Sequence, residues 1–221
     1  MSEDRFWDKM ADSYARQPIA DEAAYQTKLA VTRTYLRPDV DVLEFGCGTG
    51  GTAILHAPHV RHIKAIDFSE AMLAIARDKA ATAGVDNLTF ERADITSFAA
   101  PHGSFDVILG LSILHLLADK DAVIAKVFRL LKPGGLFVSS TTCLGDTMGM
   151  FKLIAPVGKA LGLLPVLDVM TEADLVRSLT GAGFSIVHQW QPGRGKAVFI
   201  VAQAGSAPAA GQGAALEHTA R

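Results

Sequence analysis

Glu44 is the acidic residue of this chain whose position most clearly points to chemistry. It stands two places before the glycine-rich segment Gly46-Cys47-Gly48-Thr49-Gly50-Gly51. Because side chains alternate along a strand, Glu44 and Gly46 point the same way and a carboxylate lies close to the loop. A carboxylate there would repel a pyrophosphate and favour a ligand that carries an ammonium or a sulfonium group.

The glycine segment fits two known patterns. Gly46, Gly48 and Gly51 satisfy GxGxxG, which is typical of dinucleotide-binding loops, whereas Gly46, Gly48 and Gly50 satisfy GxGxG. An apolar run before it and Thr52-Ala53-Ile54-Leu55 after it predict a strand, a tight turn and a helix. Glycines accept positive φ and lack a Cβ, so a ligand can lie against bare backbone. A glycine-rich turn without a ligand is the structural alternative.

Two further acids follow later strands. Asp67 ends the apolar strand 62–67, roughly 20 residues after the glycine loop, where a carboxylate can accept hydrogen bonds from both hydroxyls of a ribose. The alternative for Asp67 is a carboxylate stabilised by the N-terminus of the next helix. Asp94 follows a third strand, 88–92, and could equally be a solvated turn residue.

The segment Glu44-Phe45-Gly46-Cys47-Gly48-Thr49-Gly50 resembles motif I of the class I S-adenosylmethionine (SAM) dependent methyltransferases. The resemblance covers residues 40–203 and implies an α/β fold: a Rossmann-like, seven-stranded, mostly parallel sheet with an antiparallel final strand and helices on both faces. It also implies that Asp94 hydrogen-bonds the adenine amino group and that Ile95 stacks on the ring. The residues expected to bind SAM are Tyr14, Glu44, Gly46, Gly48, Gly50, Asp67, Phe68, Met72, Asp94, Ile95, Gly110 and Leu111.

Two helices precede the first strand. Apolar and aromatic residues recur at helical spacing over residues 3–16, and Asp21 is a suitable N-cap for a helix that runs to about Leu36. The resemblance implies that residues 1–37 form a lid over the cofactor. Packing against the sheet is the simpler role for the aromatic residues of this region, although a phenol such as Tyr14 can both pack and hydrogen-bond.

His115 and an apolar insertion are the candidates for contact with a methyl acceptor. His115 follows the apolar strand 105–110, in a turn that the family directs towards cofactor and substrate; a structural histidine is the alternative. Residues 143–170 are rich in Leu and Met and broken by Gly and Pro, which predicts a helical cap after the fifth strand. Met148, Met150 and Phe151 are expected to bind a small or lipophilic acceptor, unless this segment is ordinary core.

Composition narrows the remaining classes. The 221 residues, 49% of them hydrophobic, predict one α/β domain over 1–203 and a disordered tail over 204–221. The net charge of −2, with no long basic run, argues against a nucleic-acid partner. Two cysteines, a polar N-terminus and no long apolar stretch predict a cytoplasmic protein without a transmembrane segment. No metal site is assigned, and peripheral membrane contact and the oligomeric state stay open.

The sequence therefore predicts SAM-dependent methyl transfer to a small or lipophilic acceptor by in-line displacement. An NAD(P)-dependent oxidoreductase would use the same glycine loop, but Glu44 and the strand pair 184–190 and 197–202 argue against it. A domain that binds SAM without turnover is the other alternative.

Overall fold

The computed structural model describes residues 3–146 and 169–205. Its helices are α1 (Glu3–Arg16), α2 (Glu22–Arg33), α3 (Gly51–His56), α4 (Glu70–Thr82), α5 (Lys120–Leu130) and α6 (Glu172–Gly181). Its strands are β1 (Asp41–Phe45), β2 (His62–Asp67), β3 (Leu88–Arg92), β4 (Phe105–Leu111), β5 (Leu131–Thr141), β6 (Phe184–Trp190) and β7 (Val198–Ala204).

The strands form one sheet in the order β3-β2-β1-β4-β5-β7-β6. Strands β1 to β5 pair in parallel, and β7 runs antiparallel to both of its neighbours. The predicted fold class, with its antiparallel final strand, is confirmed. The chain builds outward from β1 to β3 and then returns to place β4 beside β1. That reversal opens a crevice at the carboxyl ends of β1 and β4, the usual ligand site of an open α/β sheet.

Helices cover both faces of the sheet, as expected, because alternate side chains of the central strands are apolar on each side. Two buried clusters result. One packs α5 and α6 on the sheet and includes Phe45, Ile108, Phe137, Ile124, Val127, Leu175 and Leu179. The other packs α3 and α4 on the opposite face and includes Val42, Ala65, Leu109, Val138, Ala53, Leu73 and Ala80.

The N-terminal pair of helices forms where the sequence predicts it. The Asp21 side chain caps α2 by accepting a hydrogen bond from Ala24 N at 3.1 Å. Helix α1 packs on α4. Asp8 of α1 joins this contact, since its Oδ1 accepts from Ser69 Oγ at 2.6 Å, just before α4 begins. The N-terminal region is therefore tied to the turn that follows β2.

Strand β5 begins five residues earlier than the sequence predicts. The segment Lys132-Pro133-Gly134-Gly135 lies inside the strand rather than in a turn before it. The register between the two strands shifts here: Phe105 pairs with Leu131 and Val107 with Leu136, so β5 advances by five residues where β4 advances by two. This irregularity needs glycine: a Cβ at Gly135 would lie 2.9 Å from the Asp106 carbonyl oxygen.

Some expectations concern residues 147–168 and 206–221, which lie outside the described residues. These include most of the cap, with Met148, Met150 and Phe151, and nearly all of the predicted tail. Strand β7 extends to Ala204, one residue beyond the predicted end of the domain. Within residues 3–146 and 169–205, none of the helices is long and apolar enough to span a membrane.

Candidate active site

The loop after β1 owes its shape to glycines with left-handed backbone conformation. Gly46 has φ +63° and Gly50 has φ +73°, values that L side chains rarely adopt. A Cβ at Gly46 would lie 2.8 Å from Ile113 Cγ1, so the loop packs directly on the segment that follows β4. The loop therefore brings bare backbone to the crevice between β1 and β4, as the spacing predicts.

Glu44 is almost fully buried beside this loop, with 3% of its surface exposed. Its Oε2 has no hydrogen-bond partner among the described residues. Burial, and secondly the nearby charge of Asp67, raise the pKa of Glu44 to about 8. A buried carboxyl without a partner is unfavourable in the ligand-free protein. It gains most from a ligand that brings positive charge.

Asp67, at the end of β2, organises the same loop. Its Oδ2 accepts a hydrogen bond from Gly48 N at 2.8 Å, and its Oδ1 accepts from Ser69 N at 2.9 Å. Each carboxylate oxygen can accept more than one hydrogen bond, so capacity is left for ligand hydroxyls. Burial raises the pKa of Asp67, and its backbone hydrogen bonds act in the opposite direction. Asp67 thus joins the glycine loop to the start of α4 in addition to the ribose role predicted for it.

Two tyrosines from the N-terminal helices reach this acidic region. Tyr14 of α1 is 46% exposed, and its ring would lie 3.8 Å from a Cβ at Gly48. Partial burial, followed by the charges of Asp67 and Glu44, raises the pKa of Tyr14. Tyr25 of α2 lies 3.2 Å from Thr52 through its hydroxyl, and burial and Glu44 are among the causes that raise its pKa. Both helices therefore border the predicted cofactor site.

The residues predicted to surround an adenine differ in exposure. Met72 and Ile95 are buried, and Ile95 belongs to the apolar cluster beneath α5 and α6. Asp94 is exposed, and its Oδ1 accepts from Thr96 N at 2.7 Å. Phe68 is half-buried after Asp67. Stacking by Ile95 and the other adenine contacts stay predictions.

The end of β4 shows two features that sequence reasoning missed. Gly110 makes room for an aromatic ring, because a Cβ there would lie 2.5 Å from Phe45 Cζ. Core packing therefore requires glycine at this position, and the expected contact of the Gly110 backbone with SAM stays a prediction. Ser112 has φ +58°, the only positive φ of a non-glycine residue within 3–146 and 169–205. Serine has no particular preference for positive φ, so the sequence alone could not predict this backbone conformation.

His115 lies in a short 3-10 turn, Leu114–Leu116, directly after the strained Ser112. Its ring is half-buried, and its Nδ1 is buried without a hydrogen-bond partner among the described residues. Burial lowers the pKa of His115. The imidazole is therefore neutral near physiological pH and can accept a proton. The structure brings His115 to the carboxyl end of the sheet, while Met148, Met150 and Phe151 lie outside the described residues.

The chain matches a family model described as a methyltransferase domain over residues 42–135. It is 36% identical over 118 residues to phosphoethanolamine N-methyltransferase 1 of Arabidopsis thaliana, covering 53% of this chain and 24% of that protein. It is 28% identical over 138 residues to the uncharacterized methyltransferase YcgJ of Bacillus subtilis, covering 62% of this chain and 54% of YcgJ.

Solved structures share the fold. The YcgJ structure superposes with a TM-score of 0.69 at 16% identity, covering 82% of this chain and all of that one. The [4+2]-cyclase SpnF superposes with a TM-score of 0.69 at 21% identity, covering 87% and 84% of the two chains. The chain spans 5 to 54% of the length of the first curated relatives it matches. Motif I, the sheet topology and the methyltransferase domain matched over residues 42–135 together support the assignment of this chain to the class I SAM-dependent methyltransferase family.

Proposed function

We propose that this protein transfers a methyl group from SAM to a small or lipophilic acceptor by in-line displacement. The observation that carries the proposal is Glu44, a buried carboxyl with an unpartnered oxygen beside a glycine loop. The ammonium of SAM would satisfy that oxygen and favour its ionised form. A dinucleotide would bring pyrophosphate to the same loop, where Glu44 and Asp67 would oppose it.

The other residues of the crevice fit SAM in a consistent way. Bound SAM would supply an activated methyl group. Asp67 would accept hydrogen bonds from the ribose hydroxyls while it keeps its bonds to Gly48 N and Ser69 N. Asp94 would accept from the adenine amino group, and Tyr14 would border the methionine side. Holding an acceptor in line within a dry site supplies much of the acceleration of such a transfer.

His115 is the proposed base or orienting group for the acceptor. Burial lowers the pKa of His115 and favours the neutral ring, so that an imidazole nitrogen can take a proton from an acceptor hydroxyl or protonated amine, or simply hold it by a hydrogen bond. Proton transfer of this kind contributes about 10²- to 10⁴-fold to typical enzymes, whereas orientation alone contributes through geometry.

The acceptor class is inferred from a named relative and from the apolar insertion. Phosphoethanolamine N-methyltransferase is named for a small-molecule acceptor, which supports a small molecule here. The apolar residues of 143–170, with Met148, Met150 and Phe151, would give that acceptor an apolar wall. Two free, buried cysteines support a reducing, cytoplasmic location.

A function other than methyl transfer is the second candidate. SpnF shares the fold and is named a [4+2]-cyclase, so the fold by itself does not establish methyl transfer. A domain that binds SAM without methylating anything would keep Glu44 and Asp67 but would not need a base at His115. An NAD(P)-dependent oxidoreductase is disfavoured by Glu44 and by the antiparallel β7.

Two measurements test the proposed function. Calorimetry should detect binding of SAM and of its demethylated product, S-adenosylhomocysteine, and should detect no binding of NAD. Incubation with labelled SAM and a panel of small hydroxyl, amine and quinone-type acceptors should then yield S-adenosylhomocysteine together with a methylated product. Binding without any product would favour the non-methylating alternative, and NAD binding would overturn the cofactor assignment.

A further inference from the structure

Lys28 of α2 extends from the helix to the carboxyl end of β5. Its Nζ donates a hydrogen bond to Ser140 Oγ at 2.8 Å. The lysine is half-buried and the serine is 2% exposed, so the ammonium is partly withdrawn from water at the sheet edge where ligands bind. Ser140 is held in place in turn, because its carbonyl accepts from Ser112 N at 2.7 Å.

The hydrogen-bond partner of this ammonium, Ser140 Oγ, is a neutral hydroxyl. Within residues 3–146 and 169–205, no carboxylate lies within ion-pair distance of Lys28. The acid that acts on it electrostatically is Asp21, which is already engaged by Ala24 N and by Lys196 Nζ at 3.4 Å. Burial lowers the pKa of Lys28, and Asp21 only partly opposes that effect. A desolvated cation whose bonded neighbour is a neutral hydroxyl is stabilised by any anion that reaches it.

The position of Lys28 separates it from the amino end of the predicted SAM site. Glu44 is on β1, Ser140 is on β5, and β4 lies between them. Neighbouring strands are roughly 5 Å apart, so the two strands are about 10 Å apart. Lys28 and Glu44 thus belong to different halves of the crevice.

We propose that Lys28 Nζ and Ser140 Oγ form a subsite for an anionic oxygen group of the methyl acceptor, a carboxylate or a phosphate. This inference rests on the proposed function, because it assumes that SAM occupies the Glu44 side. The serine hydroxyl donates a second hydrogen bond to the anion, while its present bond to Lys28 holds the ammonium in place. The acceptor then has an anionic group at β5 and its nucleophile towards His115.

Small probes test this subsite without knowledge of the rest of the acceptor. The protein is saturated with S-adenosylhomocysteine and titrated separately with acetate, methyl phosphate and neutral acetamide. The Cε chemical shift of each lysine is followed by NMR. We expect acetate or methyl phosphate to shift Lys28 and to raise its pKa, and acetamide to do neither. The anion that binds at least threefold more tightly identifies the acceptor group as carboxylate or phosphate.

Variants test whether the anion binds at Lys28 and Ser140. Lys28→Met should abolish anion binding, and Ser140→Ala should weaken it severalfold. Lys64→Met is the matched control, since it removes the same charge from a surface lysine that pairs with Glu91 at 2.9 Å, and it should leave anion binding unchanged. Equal effects of acetate and acetamide on Lys28, or anion binding retained in Lys28→Met, would overturn the proposal.

A second comparison separates the acceptor from the carboxylate of the cofactor. SAM and decarboxylated SAM are titrated into wild type and Lys28→Met. We expect each affinity to change by less than threefold in the variant. A tenfold loss for SAM alone would assign Lys28 to the cofactor and overturn the acceptor subsite. Failure of wild type to bind SAM or its product would instead defeat the proposed function, which keeps the two failures distinct.

Discussion

The two halves of the crevice are built in different ways. The half at the ends of β1 and β2 takes Glu44, the glycine loop and Asp67 from about 25 consecutive residues, and the backbone of that stretch supplies much of the site. The half at the ends of β4 and β5 combines Lys28 from α2, the turn with His115, and Ser140, which are far apart in the chain. The first half is local in sequence, whereas the second is assembled by the fold.

The halves also differ in electrostatic character, although burial is the common cause. In the first half burial raises the pKa of Glu44 and Asp67, so positive charge on a ligand is favoured. In the second half burial lowers the pKa of His115 and Lys28, so a hydrogen-bond donor to the neutral imidazole and an anion beside the ammonium are favoured there. The crevice is thus prepared for a cation on one side and for a proton donor or anion on the other. Substitutions at four places in the crevice test this contrast.

Glu44→Gln should give the largest effect, on stability. The pKa of Glu44 is raised in the folded state, so its contribution to stability is complete below the ordinary value of 4.5 and is lost as pH rises through about 8. Gln stays neutral throughout. Urea unfolding at about pH 8 should therefore show the ligand-free variant more stable than wild type, by on the order of 2–4 kcal/mol.

The stability difference should nearly vanish below about pH 4, where Glu44 is mostly protonated in both states. Glu91→Gln, which makes the same change at an exposed glutamate on β3, serves as the control. If wild type were as stable as Glu44→Gln at alkaline pH, the burial of an unpaired carboxyl would be refuted.

Asp67→Ala should weaken SAM binding by about 1–3 kcal/mol, which is roughly 5- to 150-fold. The variant loses the predicted ribose contact and the bonds that hold Gly48 N and Ser69 N. Calorimetry measures the loss, and a thermal melt confirms that the variant is folded. Asp78→Ala removes an equal charge from the outside of α4 and should bind SAM normally. Normal binding by Asp67→Ala would remove Asp67 from the site.

His115→Ala should lower turnover at least tenfold, or about 1.4 kcal/mol of barrier, without a change in SAM affinity. His115→Gln separates two roles, because Gln can hydrogen-bond an acceptor but cannot remove a proton near neutral pH. A Gln variant with nearly full turnover would indicate orientation only. Near-wild-type turnover in both variants would leave catalysis in the second half to positioning by other groups.

Truncating apolar side chains of the predicted cap should give the smallest effect. Met150→Ala, Met148→Ala and Phe151→Ala are expected to lower acceptor affinity severalfold and to leave SAM affinity nearly unchanged. Acceptor KM and SAM Kd, measured on the same preparations, provide the comparison. Equal losses of affinity for SAM and for the acceptor would show that this segment is part of the hydrophobic core and does not contact the acceptor specifically.

The contrast also explains how far the sequence could predict the structure. Strands β2, β3 and β6 and the Asp21 cap follow directly from local pattern, because alternation and capping are properties of neighbouring residues. The early start of β5 was missed, since Lys132-Pro133-Gly134-Gly135 is also a good turn and only pairing with β4 keeps it in the strand. The positive φ of Ser112 and the contact of Lys28 with Ser140 could not be read locally, because tertiary packing creates both.

Proton release on cofactor binding tests the central claim most directly. Glu44, with a pKa of about 8, is mostly protonated at about pH 7 in the ligand-free protein and should ionise against the ligand ammonium. Calorimetry with S-adenosylhomocysteine in buffers of different ionisation enthalpy should report close to one proton released per molecule bound. The release should fall towards zero at about pH 9.5, where the carboxyl is already ionised, and should be absent in Glu44→Gln. Binding without proton release at about pH 7, or equal release in Glu44→Gln, would contradict the account.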